Sequence, residues 1–108
     1  MKRISVSLFC ALCATVAVTA NAALSDADAA KLMTKYNCQA CHTVDKKLVG
    51  PAFKDVAKKY AGDASAAQSL QSKVKNGSSG TWGPIPMPPN AVPPADIDSL
   101  VTWILSLK

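Results

Sequence analysis

Two cysteines and a histidine fall within five residues, Cys38-Gln39-Ala40-Cys41-His42, and His42 is the only histidine in the chain. This spacing limits what the chain can fold around more than any other feature. Two residues between the thiols let both sulfurs reach the two vinyl groups of a haem from one turn of backbone. The next side chain then falls under the ring centre, where an imidazole ligates iron. Iron in such a site takes a second axial ligand, and Met87 stands far downstream in Trp82-Gly83-Pro84-Ile85-Pro86-Met87-Pro88-Pro89-Asn90. Thioether opposite imidazole stabilises ferrous iron and raises the reduction potential.

Other uses of a Cys-x-x-Cys pair fit less well. A thioredoxin-like redox pair sits at the mouth of a strand-helix-strand unit, and the chain offers no convincing strand. Zinc needs a second pair of ligands, for which only Cys10 and Cys13 remain, both in an apolar leader. A local disulfide leaves His42 and Met87 without a role.

The leader opens with Met1-Lys2-Arg3, runs from Ile4 to Ala20 almost without polar groups larger than Ser or Thr, and ends in Ala20-Asn21-Ala22. Small residues there are what a signal peptidase reads. Residues 1–22 are therefore expected to form a cleaved signal peptide and 23–108 a single domain in the periplasm. The alternative, a retained membrane anchor, has an apolar run of only about seventeen residues, short for a span. Phe9 and Leu12 precede the two leader cysteines, which argues against lipid attachment. Export agrees with thioether attachment of haem on the far side of the bacterial inner membrane.

Losing Lys2 and Arg3 lowers the formal charge from +5 to +3, ten lysines against seven aspartates. A diffuse positive balance steers acidic partners but is too small for nucleic acid. A chain this short buries a limited core unaided, so a tethered apolar macrocycle is expected to supply much of the missing hydrophobic contact.

Periodicity predicts an all-α fold of about four helices. The first runs from about Asp26 to Asn37, capped by Ser25 and delivering the chain into Cys38. Met33, on its apolar stripe, is a rival sulfur ligand in principle, but it is too near His42 in sequence to reach the opposite ring face, and core packing is expected. Val44 to Pro51 reads as a loop, and the Pro51 carbonyl is the best-placed acceptor for the remaining imidazole N–H. A plain turn is the alternative.

Phe53, Val56, Ala57 and Tyr60 predict a second helix ended by Gly62. Ser65 with Gln68 reads as a capping box for a third helix, stopped by Asn76-Gly77. Lys73 and Lys75 fall in its last turn as charges that complement the helix dipole. Ser78-Ser79-Gly80 reads as a flexible connector. Pro94 suits the first position of a last helix through Ile97, Leu100, Val101, Ile104 and Leu105, whose apolar face is expected to cross the first.

Between these helices, six of the eleven residues from Pro84 to Pro94 are proline. Fixed φ and missing donors make this loop stiff, which suits a ligand that must reach iron from one direction. An extended proline-rich recognition segment fits poorly, with methionine at its centre. The Trp82 indole can donate to a haem propionate, or the residue can serve as a simple core tryptophan.

With Cys38-x-x-Cys41-His42, Val49-Gly50-Pro51, the Trp82–Asn90 stretch and Trp103 together, residues 24–108 resemble a short bacterial class I cytochrome c of the c-551 type. The resemblance implies four or so helices around one covalent haem c, held by Cys38 and Cys41 and ligated by His42 and Met87. It further implies that the Pro51 carbonyl accepts from the histidine, that Trp82 and Lys73 contact a propionate, and that Asn90 neighbours the methionine sulfur. Met33 where an aromatic residue is usual, and Pro93-Pro94 at the last helix, depart from the pattern away from the ligands. The implied function is a periplasmic electron shuttle, not an enzyme, expected as a monomer without small-molecule substrate. Its donor would be a membrane cytochrome complex and its acceptor a nitrite reductase or an oxidase, docking transiently at the exposed haem edge. A haem enzyme or gas sensor with Met87 off the iron is the competing class, and a thiol-disulfide oxidoreductase a third.

Overall fold

The computed structural model describes residues 13–15 and 24–108. The expected cleavage point after Ala22, Cys10 and most of the leader lie outside the described residues. Within them the chain forms four α-helices, α1 (Asp26–Lys35), α2 (Phe53–Lys59), α3 (Ala66–Asn76) and α4 (Pro94–Leu105), plus a short 3-10 turn at Cys38–Ala40. The only strand-like pairing among the described residues is an isolated antiparallel bridge between Ser78 and Met87. None of the described helices is long and apolar enough to cross a membrane.

Helix α1 starts as its sequence dictates. The Ser25 hydroxyl accepts from the Asp28 amide at 3.1 Å, satisfying one orphan donor, and Asp26 and Asp28 sit at the positive end of the helix dipole. It ends at Lys35, two residues short of expectation. Asn37 adopts the left-handed conformation, φ 59°, and turns the chain before Cys38, so the helix does not run straight into the motif. Asparagine is among the few side chains that tolerate this region.

Ala29 and Met33, four residues apart, bury one face of α1 against Phe53, Leu100 and Trp103. Met33 is thus a core residue, as expected. Each large side chain in this cluster contributes about 1.5–3 kcal/mol on burial. Two long-range hydrogen bonds fix α1 and α4 antiparallel: the Trp103 indole donates to Asp26 at 2.9 Å, and the Tyr36 hydroxyl donates to Asp96.

One helix start differs from expectation, and a second is satisfied without a side-chain cap. Ser65 makes no side-chain cap to α3; its amide and hydroxyl both donate to the Asp63 carboxylate, at 2.8 and 2.7 Å. Asp63 therefore shapes the turn, and those hydrogen bonds hold its carboxyl below the usual aspartate range. Helix α2 also lacks a side-chain cap, and its first two amides donate instead to the Thr43 and Val44 carbonyls at 2.9 and 3.1 Å. Helices α3 and α4 close a second cluster, Val92, Ile97 and Val101 with Leu70 and Val74 packed on it.

Candidate functional site

The cysteine-histidine motif folds as a compact turn, the amides of Cys41 and His42 both donating to the Cys38 carbonyl at 3.2 and 3.0 Å. Neither Cys38 nor Cys41 is in a disulfide. Burial against the α1 cluster pushes the Cys38 thiol above its ordinary pKa. Among the described residues no three His, Cys, Asp or Glu side chains converge as a metal-binding group; Cys10, which the zinc alternative would need, lies outside them.

His42 Nδ1 lies 2.8 Å from the Pro51 carbonyl. The carbonyl can only accept, so Nδ1 carries the proton and Nε2 is the nitrogen left to bind a metal. Gly50, next to that proline, is a residue whose role the sequence hid. A Cβ there would stand 2.6 Å from Cε1, 2.9 Å from Nδ1 and 3.1 Å from Nε2 of the imidazole, so the loop approaches the ring more closely than any side chain allows. Phe53, read from periodicity as a core residue only, stacks on the imidazole with ring centroids 4.9 Å apart.

Cys41, His42 and Met87 line one cavity of about 240 Å³, bounded largely by apolar side chains including Leu48, Val49, Ile85, Val101 and Ile104. Protein interiors seldom leave voids much larger than a water molecule, so a cavity of this size in so small a domain marks a place for a large apolar group. One part of its wall is polar: Lys73 donates to the hydroxyls of Tyr60 (3.2 Å) and Thr81 (3.1 Å), beside Trp82, which also lines the cavity. Lys73 is thus half-buried and bonded, whereas Lys75 is solvent-exposed. A haem has the same division, an apolar ring with two carboxylates at one edge, so this donor set and lining fit it.

Met87 is held by backbone. Its amide donates to the Ser78 carbonyl at 2.7 Å and its carbonyl accepts from the Ser78 amide at 3.0 Å, while the Asn90 amide donates to the Val74 carbonyl of α3 at 2.9 Å. Ser78 is therefore a fixed anchor, not part of a flexible connector. The Asn90 side chain donates to the Pro88 carbonyl at 2.9 Å and does not line the cavity.

The family model for cytochrome c matches residues 26–108. Cytochrome c-552 of Nitrosomonas europaea is 54% identical over 96 residues, covering 88% of this chain and 90% of its own. Cytochrome c-551 of Pseudomonas aeruginosa is 54% identical over 77 residues, 71% of this chain and 74% of its own. The crystal structure of wild-type Nitrosomonas europaea cytochrome c552 superposes with a TM-score of 0.71 at 57% identity, covering 73% of this chain and 99% of that one. Helical fold, apolar cavity, Cys-x-x-Cys-His turn and these likenesses agree: the chain belongs to the cytochrome c family, as a class I electron carrier of the c-551 type that binds one covalent haem c.

Proposed function

We propose that the protein is a periplasmic one-electron shuttle, exported by a cleaved segment of residues 1–22. In this reading Cys38 and Cys41 would hold the haem through thioether bonds, and His42 and Met87 would ligate its iron. The observation that carries it is the oriented imidazole: Nδ1 is committed to Pro51 at 2.8 Å, leaving Nε2 for iron, and the same cavity is lined by Met87. Once bound, the haem supplies reversible one-electron exchange between ferrous and ferric iron.

The rest is the work of the polypeptide. The Nδ1–H to Pro51 bond fixes the tautomer and the orientation of His42. The bridge to Ser78 keeps the Met87 backbone in place, so His42 and Met87 would both stay available to hold the iron, which favours a carrier over an enzyme. Lys73 and Trp82 line the cavity and would hold the haem propionates, and Asn90 stiffens the turn after Met87. Leu48, Val49, Trp82 and Ile85 are exposed around the cavity mouth, with Lys47 beside them. An apolar rim with lysines outside suits weak, fast docking of a monomeric carrier to acidic redox proteins. The proposed donor is a membrane cytochrome complex and the proposed acceptor a nitrite reductase or an oxidase.

Mass spectrometry and visible spectra of the exported protein test this reading. Expected are loss of residues 1–22, a mass increase equal to one haem with no titratable thiols, and a methionine-to-iron charge-transfer band that Met87→Ala abolishes while lowering the potential. Colourless protein with free thiols, or a high-spin wild type, refutes it.

A further inference from the structure

A column of side chains runs from the imidazole of His42 to the surface of α1. Phe53 stacks on the imidazole at 4.9 Å between centroids and 19° between planes. Trp103 meets the Phe53 ring edge-on, at 6.1 Å and 80°, and its indole donates to the Asp26 carboxylate at 2.9 Å. Phe53 and Trp103 are 5% and 4% exposed, so each ring is confined by its neighbours. The base of the column is fixed by backbone as well, since the Phe53 amide donates to the Thr43 carbonyl, one residue after His42, at 2.9 Å.

A hydrogen bond from Nδ1 limits rotation of the imidazole about its Cβ–Cγ bond but tolerates tilting of the ring by tens of degrees. Stacking fixes the plane. Phe53 packs on the imidazole, while Gly50 comes within a would-be Cβ distance of 2.6 Å from Cε1, so the ring has little room to turn. From this arrangement we infer that Phe53 and Trp103 are positioning residues for the axial histidine, with Asp26 as the outer stop. The packing of α4 on α1 therefore sets the orientation of an iron ligand. This rests on His42 binding iron, as proposed above.

The test reads the solvent exchange rate of the His42 Nδ1 proton in the haem-loaded protein by NMR, taken relative to the Val101 amide so that general opening cancels. The spread of the haem methyl shifts in the oxidised state gives a second measure of ring plane. Phe53→Leu is expected to raise the relative exchange rate about tenfold and to change the methyl spread, while Phe53→Tyr, which keeps the ring, stays within about twofold of wild type. Asp26→Ala, a change at an exposed residue, is expected to raise the relative rate about threefold, and Asp26→Asn, which keeps an acceptor for the indole, to restore it. Relative rates and methyl spread unchanged in both Phe53→Leu and Asp26→Ala overturn the inference. If Phe53→Leu does not fold, unchanged values in Asp26→Ala alone overturn it. A wild type without low-spin haem overturns the functional reading first, and this one with it.

Discussion

Gly77 ends α3 with φ 83° and ψ 171°, a combination essentially reserved for glycine. A Cβ at this position would lie 2.8 Å from the Met87 carbonyl oxygen and 3.1 Å from Pro89 Cδ and N. These are backbone and ring atoms of the ligand loop, so Gly77→Ala finds relief only if that loop moves away from α3. Backbone strain contributes about 1–3 kcal/mol and the steric overlap a further 1–3 kcal/mol or so. The combined loss of about 2–6 kcal/mol is a large part of the roughly 5–15 kcal/mol that holds a domain folded. Gly80 supplies the control, because it has a similar φ of +82° and no heavy atom within 4 Å of its would-be Cβ. Gly80→Ala bears dihedral strain alone. Urea unfolding of both variants, followed in parallel by the methionine-to-iron charge-transfer band, separates the two costs. Gly77→Ala is expected to be less stable than Gly80→Ala by at least about 1 kcal/mol, and to lose the band at a urea concentration below that of global unfolding. Equal destabilisation of the two, with the band persisting to the unfolding midpoint in both, would refute the contact between α3 and the ligand loop as the cause.

Three further outcomes follow from the geometry. Gly50→Ala should cost about 1–3 kcal/mol from overpacking against the imidazole and weaken the bond to Pro51, seen as faster exchange of the Nδ1 proton; thermal unfolding checks the first and NMR the second. The hydrogen bond to Asp96 raises the Tyr36 phenol above its usual pKa of 10.0, so its stabilisation is complete below that value and is lost as pH rises through the elevated one. Wild type should therefore lose stability in strong alkali relative to Tyr36→Phe, and parallel curves in a pH series of urea midpoints would argue otherwise. Ile85→Asp places a charge on the most exposed of the large apolar side chains at the cavity mouth, 63% exposed, and should slow electron transfer to an acidic partner while leaving the spectrum intact; stopped-flow rates at several salt concentrations measure it.

Much of this site can be read from residues alone because its parts are local or periodic. Cys38, Cys41 and His42 fall within five residues, Pro51 closes a Gly-Pro turn nine residues after His42, and the helical faces repeat at fixed intervals. The structure bears out the four helices, the buried Met33 and the acceptor role of the Pro51 carbonyl. What escaped depends on contacts with no sequence period. Phe53 has the spacing of an ordinary core position, and nothing in that spacing says that the ring beside it is His42. Gly50 looks like a turn residue, although its place is set by the imidazole face. Ser65 has a capping-box pattern, yet Asp63 two residues earlier competes for its donors and wins. Ser78, between Gly77 and Gly80, has the composition of a flexible link and is instead paired through both backbone groups to Met87.

That pairing has a consequence for how such a molecule can change. The segment from Ser78 to Met87 is tied at its neck by two main-chain hydrogen bonds, and its tip, with Ile85, lies in solvent. Hydrogen bonds between peptide groups are indifferent to which side chains ride on the arch above them. Replacements at the tip can thus re-address the carrier to a different docking surface while the sulfur stays where it is, so that recognition and redox tuning are free to diverge as separate traits.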